Sequence, residues 1–239
     1  MNKKFGFVSL TGRTNVGKST LLNSLFGKKI AITSRKPQTT RNRILGIFSE
    51  NNNQIVFLDT PGVHSGFKRA LNKYMNRVAR NCYEEVDLVI FVVDRGRWQK
   101  EEENILKNLK ELNKPIFLVI NKIDRPGARP NWAMDQVFEL FDTLGASDEQ
   151  LDFAVVFTSA INGVAGLDCD KISNNMEPLF ETIINQVPAP NVDLNGPFQM
   201  QISALDYDTY TGVEGLGKIF RGSISVSYTH LTLPTKRIV

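Results

Sequence analysis

The sequence predicts an α/β fold built on a doubly wound, mostly parallel sheet of six strands. Three observations predict it. Apolar runs of strand length recur at 5–10, 44–48, 55–58, 88–93, 116–120 and 151–157, and stretches of helical spacing alternate with most of them. A glycine-rich turn, Gly12-Arg13-Thr14-Asn15-Val16-Gly17-Lys18-Ser19, joins the first run to the first helix. The other polar motifs sit just beyond strand ends, where an open α/β sheet gathers its ligands.

The turn reads G-x-x-x-x-G-K-S in the strand–loop–helix context that pattern needs. Successive backbone N–H groups line one concavity, and the helix over 18–26, stopped by Gly27, points its positive end there. Residues Gly12, Arg13, Thr14, Asn15, Val16, Gly17, Lys18, Ser19 and Thr20 are therefore candidates for binding nucleotide phosphates. Lys18 adds a point charge for the β- and γ-phosphates, and the Ser19 hydroxyl can ligate Mg²⁺. Residues 28–43 are polar and basic without periodicity and read as a loop. In it Thr40, preferred over Thr39, can ligate Mg²⁺ through its hydroxyl and touch the γ-phosphate through its N–H. The plainer reading of this segment is a solvated basic loop.

Strands 44–48 and 55–58 are joined through Glu50-Asn51-Asn52-Asn53, and the second ends in Asp59-Thr60-Pro61-Gly62. At a strand end, Asp59 can hold a Mg²⁺-bound water, with Thr60 and Pro61 carrying the chain to a Gly62 amide within reach of the γ-phosphate. A helix over 67–80 carries Leu71, Met75 and Val78 as its stripe, and a helix over 101–112 follows the buried strand 88–93. Pro115 opens strand 116–120, which delivers Asn121-Lys122-Ile123-Asp124. The Asp124 carboxylate can accept from guanine N1–H and its 2-amino group. Adenine offers neither donor, so such a site discriminates by about 10⁴-fold. Lys122 can cover the base and Asn121 can tie this loop to the phosphate loop. Strand 151–157 ends in Thr158-Ser159-Ala160, where the Ala160 N–H can donate to guanine O6, with Ser159 and Ile161 flanking it. Helices over 132–144 and 176–187 complete the pattern before Pro188-Ala189-Pro190. In this order the motifs predict a P-loop NTPase G domain over 1–190, with guanine nucleotide as ligand and Mg²⁺ as cofactor.

Composition fits a soluble globular protein, at 41% hydrophobic and 23% charged over 239 residues. The net charge of +4 mildly favours an anionic partner without naming one. Cys82 and Cys169 lack any paired spacing and read as free thiols in a reducing compartment. The longest apolar run has six residues between Asp87 and Asp94, too short to span a membrane, and Gly12 breaks the N-terminal run too early for a signal peptide.

Residues 1–125 resemble the G domain of the Era family of ribosome-assembly GTPases. The likeness rests on Gly12–Ser19 continuing Thr20-Leu21-Leu22-Asn23, on residues 32–41 with Gln38-Thr39-Thr40-Arg41, on residues 59–64, and on the strand 88–93 followed by Arg97-Trp98. Thr14 stands where that family usually has Pro. From about Arg125 the chain resembles the BipA/TypA family of translational GTPases, through residues 125–132, 158–167, 187–190 and 196–202. That second likeness implies that residues 191–222 open a β-barrel domain, of which 198–204 and 215–221 supply two strands, too few to close one. Residues 223–239 resemble neither family; from Ser225 they resemble sequencing-adapter read-through and are expected to be disordered. Together these likenesses imply a chimeric reading frame, with a natural fusion as the rival.

The resemblance implies in-line attack of water on the γ-phosphate, with Lys18, Mg²⁺, Thr40 and the Gly62 amide neutralising charge. Val63 occupies the position where many GTPases carry a water-orienting Gln, so slow intrinsic turnover is expected. His64 is a weaker candidate base, otherwise an exposed loop residue. Both families imply the ribosome or ribosomal RNA as partner and a cytoplasmic place, ribosome- or membrane-peripheral; DNA is not implied. The GXXG of a KH domain is matched only by Gly163–Gly166, inside the base-reading loop, so RNA affinity is expected to be weak. Arg35, Lys36, Arg41 and Arg43 read as a solvated face, with RNA contact as the alternative. Two other readings stand beside the GTPase: a module that holds GTP or GDP without useful turnover, and a product without a cellular role. Era-like relatives hold K⁺ partly through the phosphate-loop Asn, here Asn15. GTP hydrolysis is therefore expected to run faster in potassium than in sodium buffer, and equal rates would count against an Asn15 ion site.

Overall fold

The computed structural model describes residues 4–27, 43–50, 53–59, 86–96, 98–112, 114–188, 192–208 and 212–224. The chain divides into two compact units, the first running to Pro190 and the second holding the residues from Asn191. The first unit contains strands β1 (Phe5–Thr11), β2 (Arg43–Glu50), β3 (Asn53–Asp59), β4 (Leu88–Asp94), β5 (Ile116–Asn121), β6 (Val155–Ser159) and β7 (Val164–Gly166). Its described helices are α1 (Lys18–Leu25), α2 (Lys100–Lys110), α3 (Pro130–Thr143), α4 (Asp148–Leu151) and α5 (Glu177–Gln186).

The strands form one seven-stranded sheet in the order β2-β3-β1-β4-β5-β6-β7. β1 runs parallel to β3 and β4, β4 to β5, and β5 to β6, while β2 and β7 are antiparallel edges. The reversal of direction of build at β1 and β4 makes the crevice at their C-terminal ends the natural ligand site. β4 shows why the sheet is buried on both faces. All seven of its residues are buried, with Leu88, Ile90 and Val92 in one layer and Val89, Phe91 and Val93 in the other. The first layer packs on Leu21 of α1 and Leu179 and Ile183 of α5. The second packs on Leu106 and Leu109 of α2 and Val137 and Phe141 of α3.

The sheet has one strand more than six. β7 is three residues long and pairs with β6 through Thr158↔Ala165, with positive-φ Gly163 in the turn between them. Strand 151–157 also starts later than expected. Ser147 accepts from Gln150 N–H and Gln150 Oε1 accepts from Ser147 N–H, a reciprocal cap that folds Asp148–Leu151 into a helical turn. β6 therefore begins only at Val155 and runs through Ser159. α2 starts one residue earlier than its pattern predicts and α3 two, the latter because Pro130 sits at its first turn.

The second unit has β8 (Gln199–Asp208) and β9 (Gly212–Arg221) paired as an antiparallel hairpin, longer than the two runs read from sequence. Of the expected loop over 28–43, Arg43 instead opens β2; its residues 28–42, the helix over 67–80, the positions Thr60, Pro61, Gly62, Val63, His64 and Cys82, and the segment 225–239 lie outside the described residues. No helix among the described residues is long and apolar enough to cross a membrane.

Candidate functional site

The phosphate loop leaves β1 at Gly12, with φ of +148°; a Cβ there would lie 2.2 Å from the Val92 carbonyl oxygen of β4. It enters α1 at Gly17, with φ of +101°, where a Cβ would lie 2.3 Å from Asn121 Nδ2. Both glycines are thus required twice over, by backbone conformation and by close approach. Asn15 at φ 64° holds a left-handed turn between them, a conformation Asn tolerates better than most residues.

Side-chain donors hold four of the loop's carbonyls. Lys18 Nζ donates to Gly12 O at 2.7 Å and to Arg13 O at 2.8 Å. Asn121 Nδ2 donates to Val16 O at 2.8 Å, and Lys122 Nζ donates to Asn15 O. Each carbonyl held this way is one negative dipole end withdrawn from the concavity, which favours an anion meeting the amide edge. The loop borders a cleft of about 590 Å³ lined by Arg13, Asn15, Gly17, Lys18, Ser19, Thr20, Asp94, Arg95, Lys122 and Arg125. Five of these side chains are cationic and one is acidic, so the field in the cleft favours phosphate.

The back of the site is built by strand register. Asp94, Asn121 and Thr158 lie side by side at the ends of β4, β5 and β6. Asn121 is buried, and while its Nδ2 reaches Val16, its Oδ1 accepts from Thr158 Oγ1 at 3.2 Å and Ala160 N–H at 3.1 Å. One amide therefore ties β5, the phosphate loop and the β6 end together. Lys122 adopts φ 65° and pairs through Nζ with Asp94 Oδ2 at 3.0 Å. Ser159 Oγ donates to Asp124 Oδ1 at 2.7 Å, which fixes the orientation of that carboxylate.

Among the remaining expected site residues, Ala160 stands differently. The Ala160 N–H, expected to face guanine O6, is taken up by Asn121 Oδ1, because the register of β5 and β6 brings that amide against the buried Asn side chain. Ile161 is 77% exposed. Ser19 and Thr20 are exposed at the first turn of α1. Asp59 ends β3 opposite Leu10 of β1, so its Cα stands beside the strand that runs into the phosphate loop. Thr40, Thr60, Pro61, Gly62 and Val63 are among the residues not described. Cys169 is a free thiol. Sequence reasoning missed Asp94, Arg95 and Arg125 as cleft residues and Thr158 as the partner of Asn121. The positions of Asp94 and Thr158 at strand ends were the available signal.

This sheet order, with its loop and strand-end motifs, is the fold of a P-loop GTPase G domain. The family described as "50S ribosome-binding GTPase" matches residues 7–122. The large ribosomal subunit assembly factor BipA of Escherichia coli K12 is 40% identical over 241 residues, spanning 94% of this chain and 38% of that protein. BipA of Salmonella typhimurium is 47% identical over 176 residues, spanning 73% and 27%. Among solved structures, an Era variant from Aquifex aeolicus bound to GDP·AlF4⁻ is 38% identical with a TM-score of 0.52, over 77% of this chain and 57% of that one. Era in complex with MgGDPNP and nucleotides 1506–1542 of 16S ribosomal RNA is 30% identical with a TM-score of 0.53, over 90% and 78%. The chain thus belongs to the P-loop GTPases and carries a G domain of the group that includes BipA and Era. It spans 38% of the length of the E. coli relative, less than half.

Because Asn121 satisfies three partners from a buried position, Asn121→Ala is expected to lower unfolding free energy by about 3 kcal/mol in urea denaturation. An unchanged midpoint would show that the tie contributes nothing to the fold.

Proposed function

We propose that this G domain binds GTP and GDP selectively over adenine nucleotides and hydrolyses GTP as a switch in ribosome assembly or translation. The observation that carries the reading is the Asn121–Val16 hydrogen bond, which holds the phosphate loop and the base-reading strand end in one site. In this reading Lys18, held by the Gly12 and Arg13 carbonyls, adds its charge to the β- and γ-phosphates, and the Gly12–Thr20 amides grip the phosphate chain. Asp124, held by Ser159, accepts from the guanine edge, and the Lys122 stem lies along the base.

Hydroxyl and carboxylate oxygens are the donor set a hard divalent cation takes. Ser19, Thr40 and Asp59 would hold Mg²⁺, in keeping with an exposed Ser19 at the first turn of α1 and Asp59 at the end of the neighbouring strand. When bound, the ion supplies positive charge to the phosphate oxygens. Thr60 and Pro61 lead to the Gly62 amide, which serves the γ-phosphate. Val63 cannot orient water by hydrogen bonding, so turnover is slow without further charge. Asn15, in its left-handed turn, is the residue that would help hold K⁺.

We further infer that the partner is the ribosome or its RNA, in the cytoplasm. Support comes from the names of the relatives, BipA as a subunit-assembly factor and Era crystallised with 16S ribosomal RNA. The unit from Asn191 is proposed as the opening hairpin of a β-barrel. The change from Era-like to BipA-like motifs near Arg125 is proposed as a seam between two reading frames, which the sequence of the genomic locus tests.

A thermal melt tests the nucleotide reading. GDP at one hundred times its Kd stabilises by about 2.7 kcal/mol, which corresponds to a midpoint rise of roughly 5–10 °C for a domain of this size. ADP should leave the midpoint within about 1 °C of the free protein, and Asp124→Ala should lose the GDP shift. Equal shifts with GDP and ADP would overturn the assignment.

A further inference from the structure

The first variable position of the phosphate loop carries a buried ion pair that the nucleotide reading does not use. Arg13 Nε donates to Glu102 Oε1 at 2.7 Å across 89 residues, and the side chains are 14% and 0% exposed. Glu102 lies in the first turn of α2, and its other oxygen, Oε2, accepts from the Gln99 N–H at 3.0 Å. Both carboxylate oxygens are therefore committed. The helix N-terminus stabilises the negative charge where it stands.

Arg13 has a second connection. Its own carbonyl accepts from Lys18 Nζ at 2.8 Å. Three contacts thus run in series from the cap of α2, through Glu102 and the Arg13 side chain and backbone, to the lysine of the phosphate loop. A charge pair this deep is costly to break, because either partner alone is left buried and unneutralised. The loop at Arg13 consequently has no cheap alternative conformation while Glu102 is in place.

We propose that Arg13 and Glu102 form a positioning pair that sets the phosphate loop around Lys18, so that nucleotide affinity depends on the start of α2. The proposal rests on the guanine-nucleotide reading above. Arg13 lines the cleft, so the competing role is direct contact of its guanidinium with phosphate. The two roles give opposite signs at Glu102. If Arg13 acts on phosphate directly, removing Glu102 frees a cation toward the cleft and tightens binding. If the pair positions the loop, removing either partner loosens it.

The test is equilibrium binding of a fluorescent GDP to the full chain and to Arg13→Ala, Glu102→Ala, Glu102→Gln and the double alanine variant, with urea midpoints measured in parallel. Arg13→Ala and Glu102→Ala should each weaken binding about tenfold. The double variant should weaken it by the same factor rather than the product, the mark of residues acting as one unit. Glu102→Gln leaves the Arg13 guanidinium without a counter-charge and turns an amide N–H toward the Gln99 N–H, so it should weaken binding as Glu102→Ala does. The preference for GDP over ADP should stay as in the parent chain, since the base end is untouched. Tighter binding by Glu102→Ala, additive losses, or lowered urea midpoints with unchanged affinity would each overturn the proposal. Should Glu102→Ala fail to fold, Arg13→Ala and Glu102→Gln decide it: both lose affinity if the pair positions the loop, and Glu102→Gln gains it if Arg13 acts on phosphate directly. If the parent chain binds no guanine nucleotide, the functional reading itself has failed, a result separate from any difference among the variants.

Discussion

The amide of Asn121 is the contact on which the site depends. A buried Asn has two donors and two acceptor lone pairs to satisfy, and leaving any of them unmade costs about 1–3 kcal/mol. Here the donor side reaches Val16 O and the acceptor side takes the Thr158 hydroxyl and the Ala160 N–H. No rotation of this side chain keeps all three. The phosphate loop, the end of β5 and the end of β6 are thereby fixed in one arrangement by contacts within the chain. Preorganisation of this kind reduces the ordering cost of binding.

Around that contact the site is layered by the sheet itself. Parallel strands bring their C-terminal ends to one edge, so Asp59, Asp94, Asn121 and Ser159 converge without any long loop having to be folded back. The two glycines of the phosphate loop answer a geometric demand from their neighbours. Gly12 lies against the β4 backbone and Gly17 against Asn121, so the close fit that shapes the loop also links it to the end of β5. The lysine pair divides the work. Lys18 spans the loop's own carbonyls, while Lys122 bridges from β5 to Asp94 and to the loop.

Much of this was legible in the sequence where the signal was local. β4 was readable because six apolar residues between two Asp residues can only be a strand covered on both faces. The turn from β1 into α1 and the place of Asn121 at the end of β5 were readable because a glycine-rich turn between a strand and a helix, and polar residues after an apolar run, are local patterns. What could not be read were relations set by register. β6 was placed too early because the Ser147–Gln150 cap draws Leu151 into a helical turn. β7 is three residues long and has no period to detect. The capture of the Ala160 N–H by Asn121, and the pairing of Arg13 with Glu102, depend on contacts 39 and 89 residues apart in the chain. No local pattern encodes them.

The central claim is that the phosphate loop at the front and the ends of β5 and β6 at the back are one mechanical unit. Hydrogen exchange with inorganic diphosphate tests it, because that ligand can touch only the front. The account predicts added protection at the amides of Gly17 to Thr20 and, through Asn121, also at Ser159 and Ala160. Protection confined to the phosphate loop, with the β6 end exchanging as in the free protein, would contradict it.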